Sequence, residues 1–321
     1  MFPTLSHIIE YLFGINIKLP VQTFGLFEAL AFVVAYIIFK REFKRKELLG
    51  VISSFKRDVI IGEQASVSEL LFNSLVGFFI GFKVVGIALN YNSFVFDPAK
   101  YIFSLNGNVA GGIILAGLFY YLTYQNKKSG QLSKPQLVET EVHPYQLMPS
   151  IVFWCAFWGF IGAKLFCCLE NWSNFIYNPW RQLFSVVGWT YYGGLAFGAA
   201  AFLIIGYRHG MKLIDLADIG SPGMMLAYAV GRVGCQLSGD GDWGIVNQHP
   251  KPSFLSWVPD WTWSFNFPHN VLNTGVPINN CQGNYCYELP QGVFPTSFYE
   301  ASICLILFFI LWGFRNRIKI P

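Results

Sequence analysis

Charged side chains are scarce in this sequence. Lys, Arg, Asp and Glu together make up 12% of the 321 residues, whereas 54% are hydrophobic and 32 are phenylalanine. A soluble domain carries about 25% charged residues, and a disordered chain is far less apolar than this one. The scarcity of charge therefore excludes both classes and predicts a polytopic membrane protein.

Signals for cofactors are missing as well. The five histidines are scattered without partners at metal-ligand spacing, and no glycine-rich nucleotide loop stands out. The net charge of +4 is modest and lies mainly in loops that flank apolar segments, so it does not support nucleic-acid binding. We expect no cofactor, no metal site and no nucleic-acid partner.

Long apolar segments are abundant. A segment of about 20 residues crosses the hydrocarbon core of a bilayer, and the sequence contains seven such segments. They cover residues 20–40, 67–90, 108–124, 147–170, 187–207, 217–237 and 296–314. We predict an all-α polytopic membrane helix bundle with about seven transmembrane helices, which forms a single membrane domain over residues 1–321.

The distribution of basic residues predicts how the bundle is oriented. Lys and Arg are retained on the cytoplasmic side of a membrane. Most of them lie in alternate loops, at residues 40–57, 127–134, 208–212 and 315–319. This pattern places the N-terminus outside. Residues 1–18 lack a basic start and a small-residue cleavage site, so we interpret them as an interfacial segment rather than a signal peptide.

Residues 239–294 form a polar insertion that contains one Lys and no Arg. This depletion of basic residues predicts an extracytoplasmic cap over the outer membrane interface. Cys281 and Cys286 lie in the cap, where they either form a disulfide, as an oxidising compartment permits, or remain two thiols.

Residues 78–104 and 159–185 are two copies of an internal repeat, because a shift of 81 residues aligns many identical positions. Each copy places a lysine, Lys83 or Lys164, inside an apolar run. These lysines either extend toward an interface or, in the case of Lys164, face a phosphate. Parallel repeats also occur in transporters, so small-solute transport is one alternative function.

Arg232 lies near the end of an apolar segment and is flanked by Gly231 and Gly234. A guanidinium next to hydrocarbon needs an anionic partner, and its planar fork of donors suits a phosphodiester. The glycines allow a neighbouring helix or a lipid head group to come close. An internal ion pair with Asp240 or Asp242 is the alternative.

Glycines alternate with carboxylates directly after this segment, from Gly239 through Asp240 to Asp242. A calcium loop needs a third oxygen residue and a distal glutamate in register, and both are missing. We expect the two aspartates to orient Arg232 or to accept hydrogen bonds from substrate hydroxyls. A plain glycine turn is the other interpretation.

Two further polar residues lie at segment ends. Tyr192 precedes Gly193 and Gly194, and it either donates a hydrogen bond to a head group or anchors the helix at the interface. Glu300 enters the last apolar segment, where a carboxylate pairs with a buried cation or a hydroxyl.

Five blocks in this order resemble the prolipoprotein diacylglyceryl transferase family. They are Phe24 to Leu26, Ile161 to Lys164, Tyr192 to Leu195, Gly231 to Gly244, and Pro295 to Glu300. The similarity leaves out roughly residues 60–135 and the enlarged cap. It implies a multi-pass enzyme of the bacterial inner membrane with its active site at the outer face. The implied reaction transfers the diacylglyceryl group of phosphatidylglycerol to the lipobox cysteine thiol of prolipoprotein signal peptides.

On the residues and the resemblance together, we predict a catalytic role for Arg232, Tyr192 and Asp240. The predicted substrate-binding residues are Lys164, Gly193, Gly194, Gly231, Gly234, Cys235, Gly239, Asp242, Tyr299 and Glu300. Membrane lipid, phosphatidylglycerol and prolipoprotein signal peptides are the expected partners.

The sequence also departs from the family pattern. Tyr192 and Phe294 stand where the family has histidine, Cys235 where it has asparagine, and Phe24 where it has tyrosine. A tyrosine has an ordinary pKa of about 10, a poor match for general-base work near neutral pH. The resemblance also implies a further helix, with another arginine, beyond Pro321. A relative that binds lipid or lipoprotein without reacting is therefore the second alternative.

Overall fold

The computed structural model describes residues 1–96, 101–102, 104–185, 188–315 and 317. Within them lie eight helices of nine residues or more, to which we give labels. They are α1 (Leu5–Phe13), α2 (Thr23–Leu48), α3 (Val67–Leu89), α4 (Val109–Ser129), α5 (Met148–Glu170), α6 (Tyr191–Arg208), α7 (Leu213–Ser238) and α8 (Thr296–Phe314).

Shorter elements connect these helices. Short α-helices cover Tyr91–Phe96, Trp172–Tyr177 and Pro179–Leu183, and 3₁₀ turns cover Pro144–Leu147, Ser253–Leu255 and Asp260–Thr262. The strands are β1 (Phe55–Ile61), β2 (Gln136–Val142), β3 (Val276–Pro277) and β4 (Tyr287–Glu288). β1 pairs with β2 and β3 with β4, both antiparallel. The sequence did not lead us to expect β1 and β2.

The prediction of a polytopic helical membrane protein is confirmed. Each of the seven predicted apolar segments contributes a long helix, and five of the helices in the described residues are long and apolar enough to cross a membrane. These five are α2, α3, α5 with the turn before it, α7 and α8. That α4 and α6 also cross stays a prediction.

Contacts within the chain divide it into two compact units. The first comprises Met1–Ser54 and His143–Pro321, and the second comprises Phe55–Val142. In the second unit, α3 packs antiparallel against α4, and β1 pairs with β2. In the first, α2 packs against α7, α7 against α8, and α5 against α6. The single membrane domain over residues 1–321 stays a prediction.

Glycines set the distance between the paired helices. A Cβ added to Gly162 of α5 would collide with the carbonyl oxygen of Gly193 of α6, so the two backbones touch. In the other unit, Gly81 of α3 meets Gly111 of α4 in the same way. Small residues of this kind permit the close van der Waals packing that holds helices together in lipid.

The two repeat copies make equivalent hydrogen bonds. Lys83 Nζ donates to the carbonyl oxygen of Ser104 at 2.6 Å, and Lys164 Nζ donates to that of Ser185 at 2.8 Å. Residues 97–100 and 103 of the first copy lie outside the described part of the chain. Each lysine holds the loop that leads into the second helix of its own copy, a role that the sequence did not predict.

The contacts of Lys164 bear on its predicted role in substrate binding. Lys164 is 7% exposed, its ammonium also donates to the carbonyl oxygen of Gly188 at 3.3 Å, and it lies 5.0 Å from the ring centroid of Trp189. These contacts lend no support to the predicted contact with a phosphate. They make Lys164 an anchor of the loop that precedes α6.

Replacing Lys164 with methionine is expected to destabilise the first unit by about 3 kcal/mol, because hydrogen bonds to a charged group contribute about 1.5–3 kcal/mol each. Thermal unfolding in detergent measures the effect. Lys128→Met is the matched control, since Lys128 is exposed and its ammonium lies over the ring of Tyr124. Equal melting temperatures for Lys164→Met and the wild type would contradict the anchoring role.

The cap, residues 239–294, has its own small core. Phe267, Leu289 and Val293 are buried together. The buried Asn270 donates through Nδ2 to the carbonyl oxygens of Phe267, Thr274 and Tyr287, which ties the segment before β3 to β4. Of the two states left open for the cap cysteines, the structure has the disulfide between Cys281 and Cys286.

The cap sits on the end of α7. The backbone N–H of Val271 donates to the carbonyl oxygen of Ser238 at 3.0 Å. The backbone N–H of Gly244 donates to the carbonyl oxygen of Phe294 at 2.8 Å. The N-terminal amine of Met1 donates to the carbonyl oxygen of Pro268 at 2.9 Å. These bonds fix the glycine-rich turn that follows α7.

Candidate active site

Arg232 lies at the centre of a cluster of polar side chains near the cap. Its Nε donates to Glu300 Oε2 at 2.6 Å, its Nη1 forms an ion pair with Asp242, and its side chain is 17% exposed. The ring centroid of Tyr228 lies 5.5 Å from the guanidinium carbon. The internal ion pair with Asp242, one of the two sequence interpretations, is therefore present. Glu300 is a second anionic partner.

Glu300 joins two helices at this point. Its Oε2 also accepts a hydrogen bond from Tyr228 Oη at 2.5 Å, and Tyr228 precedes Arg232 by one helical turn on α7. The sequence prediction that Glu300 pairs with a cation or a hydroxyl is confirmed for both kinds of partner. The carboxylate thus locks α8 against α7.

Asp242 is positioned by a turn that needs its glycines. Gly239 and Gly241 have φ angles of 64° and 104°, in the left-handed region that favours glycine. Thr296 Oγ1 and Ser297 Oγ donate to the carbonyl oxygen of Asp242 at 2.8 and 2.7 Å. The start of α8 therefore holds the turn in the conformation that brings Asp242 to Arg232.

Asp240 lies on the same turn, close to Cys235 and Asp242. Its Oδ1 accepts a hydrogen bond from the backbone N–H of Asp242 at 3.4 Å. Burial raises the pKa of the Asp240 carboxyl above its ordinary value, and the nearby Asp242 acts in the same direction. The ligand atoms of Cys235, Asp240 and Asp242 lie within 4.8 Å of one another. A thiol with two carboxylates is a poor match for calcium, which takes about six to eight oxygens.

Gly231 and Gly234 make room for a neighbouring helix. A Cβ on Gly234 would lie 2.6 Å from Phe27 Cβ, and one on Gly231 would lie 3.0 Å from Glu28 Oε1. Both neighbours belong to α2. Of the two occupants considered for this space, a helix or a head group, the helix is present.

Cys235 is buried one turn after Arg232. Its Sγ accepts a weak hydrogen bond from Arg232 Nη1 at 3.8 Å. Tyr299, by contrast, points to the cap, where its hydroxyl donates to the carbonyl oxygen of Thr262 at 2.6 Å. Cys235 therefore belongs to the cluster, whereas the contacts of Tyr299 serve the packing of the cap.

Tyr192 lies away from these contacts. It is 71% exposed and its ring packs against Tyr191. Tyr191 is the residue that reaches the cluster, since its ring centroid is 5.4 Å from that of Tyr228. Gly193 serves the close crossing with α5, and Gly194 makes ordinary contacts with the same helix. No contact among the described residues supports a catalytic role for Tyr192.

Glu28, Tyr191 and Tyr228 were not predicted from the sequence. A signal for Glu28 was available, because a lone carboxylate inside an apolar segment is a functional candidate by default. Tyr228 was detectable as the residue one helical turn before Arg232. Whether Tyr191 or Tyr192 faces the cluster depends on how α6 is rotated about its axis, which only the structure shows.

The family model described as prolipoprotein diacylglyceryl transferase matches residues 129–320. The chain belongs to this family. A relative from Leptospira interrogans, named phosphatidylglycerol–prolipoprotein diacylglyceryl transferase, is 27% identical over 178 residues, which cover 47% of this chain and 53% of the relative. Relatives with the same name from Thermus thermophilus and Lactococcus lactis are 30% and 29% identical, over 52% and 50% of this chain and 58% and 52% of their own lengths.

This member of the prolipoprotein diacylglyceryl transferase family therefore spans about half the length of the curated relatives that it matches. No solved structure matches it significantly. The range matched by the family model includes α5 to α8 and the cap, with Arg232, Asp240, Asp242 and Glu300. Glu28 and most of the second unit lie outside that range.

Proposed function

We propose that this protein transfers the diacylglyceryl group of phosphatidylglycerol to the lipobox cysteine thiol of a prolipoprotein signal peptide. The observation that carries the proposal is Arg232, a partly exposed guanidinium at the end of an apolar helix in a member of this family. Its Nη2 makes no hydrogen bond to any residue that the structure describes. The guanidinium therefore has N–H donors that remain available to a phosphate.

The reaction needs three things from the site. A cation must hold the phosphate as negative charge develops on it, which Arg232 supplies. The acceptor cysteine must lose its proton, because the thiolate is the nucleophile. Two apolar substrates must also reach the site, and a bundle of membrane helices provides an apolar route.

In this proposal, the phosphate competes with Asp242 for the guanidinium of Arg232. Asp242 lies on a glycine turn rather than on a helix, whereas Glu300 is fixed by α8 and by Tyr228. In the proposed cycle, the phosphate takes over Nη1 and Nη2 of Arg232 while Glu300 keeps Nε. Sulfur then attacks the glyceryl carbon that bears the phosphate, the C–O bond breaks, and glycerol phosphate leaves.

We infer that the protein lies in the bacterial inner membrane, with its N-terminus outside and this site at the outer face. The charges at the opposite helix ends support this orientation. There, Arg45 and Arg315 surround the buried Glu42, and Lys46 pairs with Asp218. Basic residues of this kind are retained on the cytoplasmic side.

A transfer assay tests the function. The purified chain is placed in vesicles of phosphatidylglycerol with a synthetic lipobox peptide, and mass spectrometry follows the gain of one diacylglyceryl group by the peptide. A peptide with serine in place of the lipobox cysteine is the control, and it should gain nothing. Binding of peptide and lipid without any transfer would instead favour the non-reacting relative, whose support is the pairing of Arg232 with two carboxylates.

A further inference from the structure

Glu28 is a carboxylate that no described residue pairs with. It lies in the apolar part of α2, is half-buried, and has its Oε1 against Gly231, next to Arg232. It forms no hydrogen bond and no ion pair with any residue that the structure describes. Ionisable groups are costly and rare within membrane helices, and those that occur there are usually functional. A carboxylate at this place is therefore expected to have a function.

The other carboxylates of the cluster are already engaged. Glu300 and Asp242 both accept charged hydrogen bonds from Arg232. Asp240 accepts from the backbone N–H of Asp242 and lies next to Cys235. A carboxylate that is held by a cation is a weak proton acceptor. Among the four, Glu28 alone has both oxygens free of donors in the described part of the chain.

We propose that Glu28 is the general base that removes the proton from the acceptor cysteine. This inference rests on the proposed function and adds the residue that activates the nucleophile. The thiol proton passes to the Glu28 carboxylate, and the sulfur electron pair forms the C–S bond. The C–O bond to the phosphate breaks, and Arg232 stabilises the negative charge of the leaving glycerol phosphate. The protonated Glu28 then returns its proton to solvent.

Three charged or titratable groups face Glu28 from the elements around it. Arg232 belongs to α7, Asp240 to the turn that follows it, and Tyr191 to α6. The Glu28 carboxylate lies against Gly231, the residue next to Arg232, so a group suited to the thiol of the peptide is close to a group suited to the phosphate of the lipid. Tyr192, which the sequence predicted as a catalytic residue, is not among the three.

Glu28→Gln tests the assignment, because the amide keeps the shape of the side chain and cannot take a proton. At neutral pH, we expect kcat for the cysteine peptide to fall about 100-fold, at the lower end of the usual range for general-base catalysis. The KM for phosphatidylglycerol should stay within twofold. The loss should shrink as the pH rises toward the pKa of the thiol, where hydroxide replaces the base.

A peptide with selenocysteine at the lipobox position separates a base from a structural residue. A selenol is ionised at neutral pH, so Glu28→Gln should transfer to this peptide at nearly the wild-type rate. Glu10→Gln, at an exposed carboxylate of α1, is the matched control and should behave like the wild type with both peptides.

The outcomes are distinguishable. Absence of transfer by the wild-type chain to either peptide overturns the proposed function, and the role of Glu28 with it. Transfer by the wild type together with an unimpaired Glu28→Gln overturns the role of Glu28 alone. An equal loss with both peptides does so as well, since a misfolded or misaligned site does not distinguish a thiol from a selenol.

Discussion

Arg232→Ala is expected to abolish transfer to the lipobox peptide, with a loss of at least about 100-fold, the usual effect of removing one charge-stabilising donor. Alanine leaves nothing to hold the phosphate. It also leaves Glu300 and Asp242 without their cation, so the local charge repels an anionic lipid. The mass gain of the peptide measures the loss, and Arg232→Lys should recover only part of the activity, because lysine has no planar fork.

Two controls accompany this variant. Arg181→Ala changes an exposed arginine on the short helix Pro179–Leu183 and should leave transfer intact. Thermal unfolding of Arg232→Ala should still be cooperative, since Tyr228 continues to bind Glu300. Undiminished transfer by Arg232→Ala would remove the central assignment.

The second large effect concerns packing. Gly162→Val is expected to separate α5 from α6 and to destabilise the first unit by about 3 kcal/mol, at the upper end of the usual range for overpacking. The new Cβ would collide with the carbonyl oxygen of Gly193 and lie 2.6 Å from Phe197 Cβ. Backbone cannot move aside as a flexible side chain does. Thermal unfolding in detergent and the yield of folded protein measure the effect.

Gly117→Val is the matched control for this prediction. A Cβ at Gly117 has no atom within 4 Å of it beyond its own helical surroundings, so the substitution should change the melting temperature little. Gly81→Val, in the equivalent position of the first repeat copy, should destabilise the second unit as Gly162→Val destabilises the first. A melting temperature of Gly162→Val close to that of the wild type would disprove the close crossing.

The helices were largely predictable because a membrane span is a local property. The predicted segment 296–314 coincides with α8, and 147–170 begins one residue before α5. Length and hydrophobicity of one continuous stretch decide whether it crosses a bilayer, and neither depends on distant residues. The pair β1 and β2 was missed since it joins segments about 80 residues apart, and pairing at that distance leaves no local pattern.

The site was predictable only in its charged residues. Arg232, Asp242 and Glu300 were identified because charges at the ends of apolar segments are rare and costly. The partners of Lys164 were not predictable, since an ammonium in a helix finds its acceptors on a loop 21 residues away.

The sequence by itself determined that this chain is a helical membrane protein with an arginine and carboxylates near its cap. Only the tertiary structure decided that Tyr191 rather than Tyr192 meets Tyr228, and that Glu28 of α2 lies against Gly231 of α7. The reason is geometric. Consecutive residues point about 100° apart around a helix axis. Rotating a helix by one residue therefore replaces the side chain that faces the site with one that faces away.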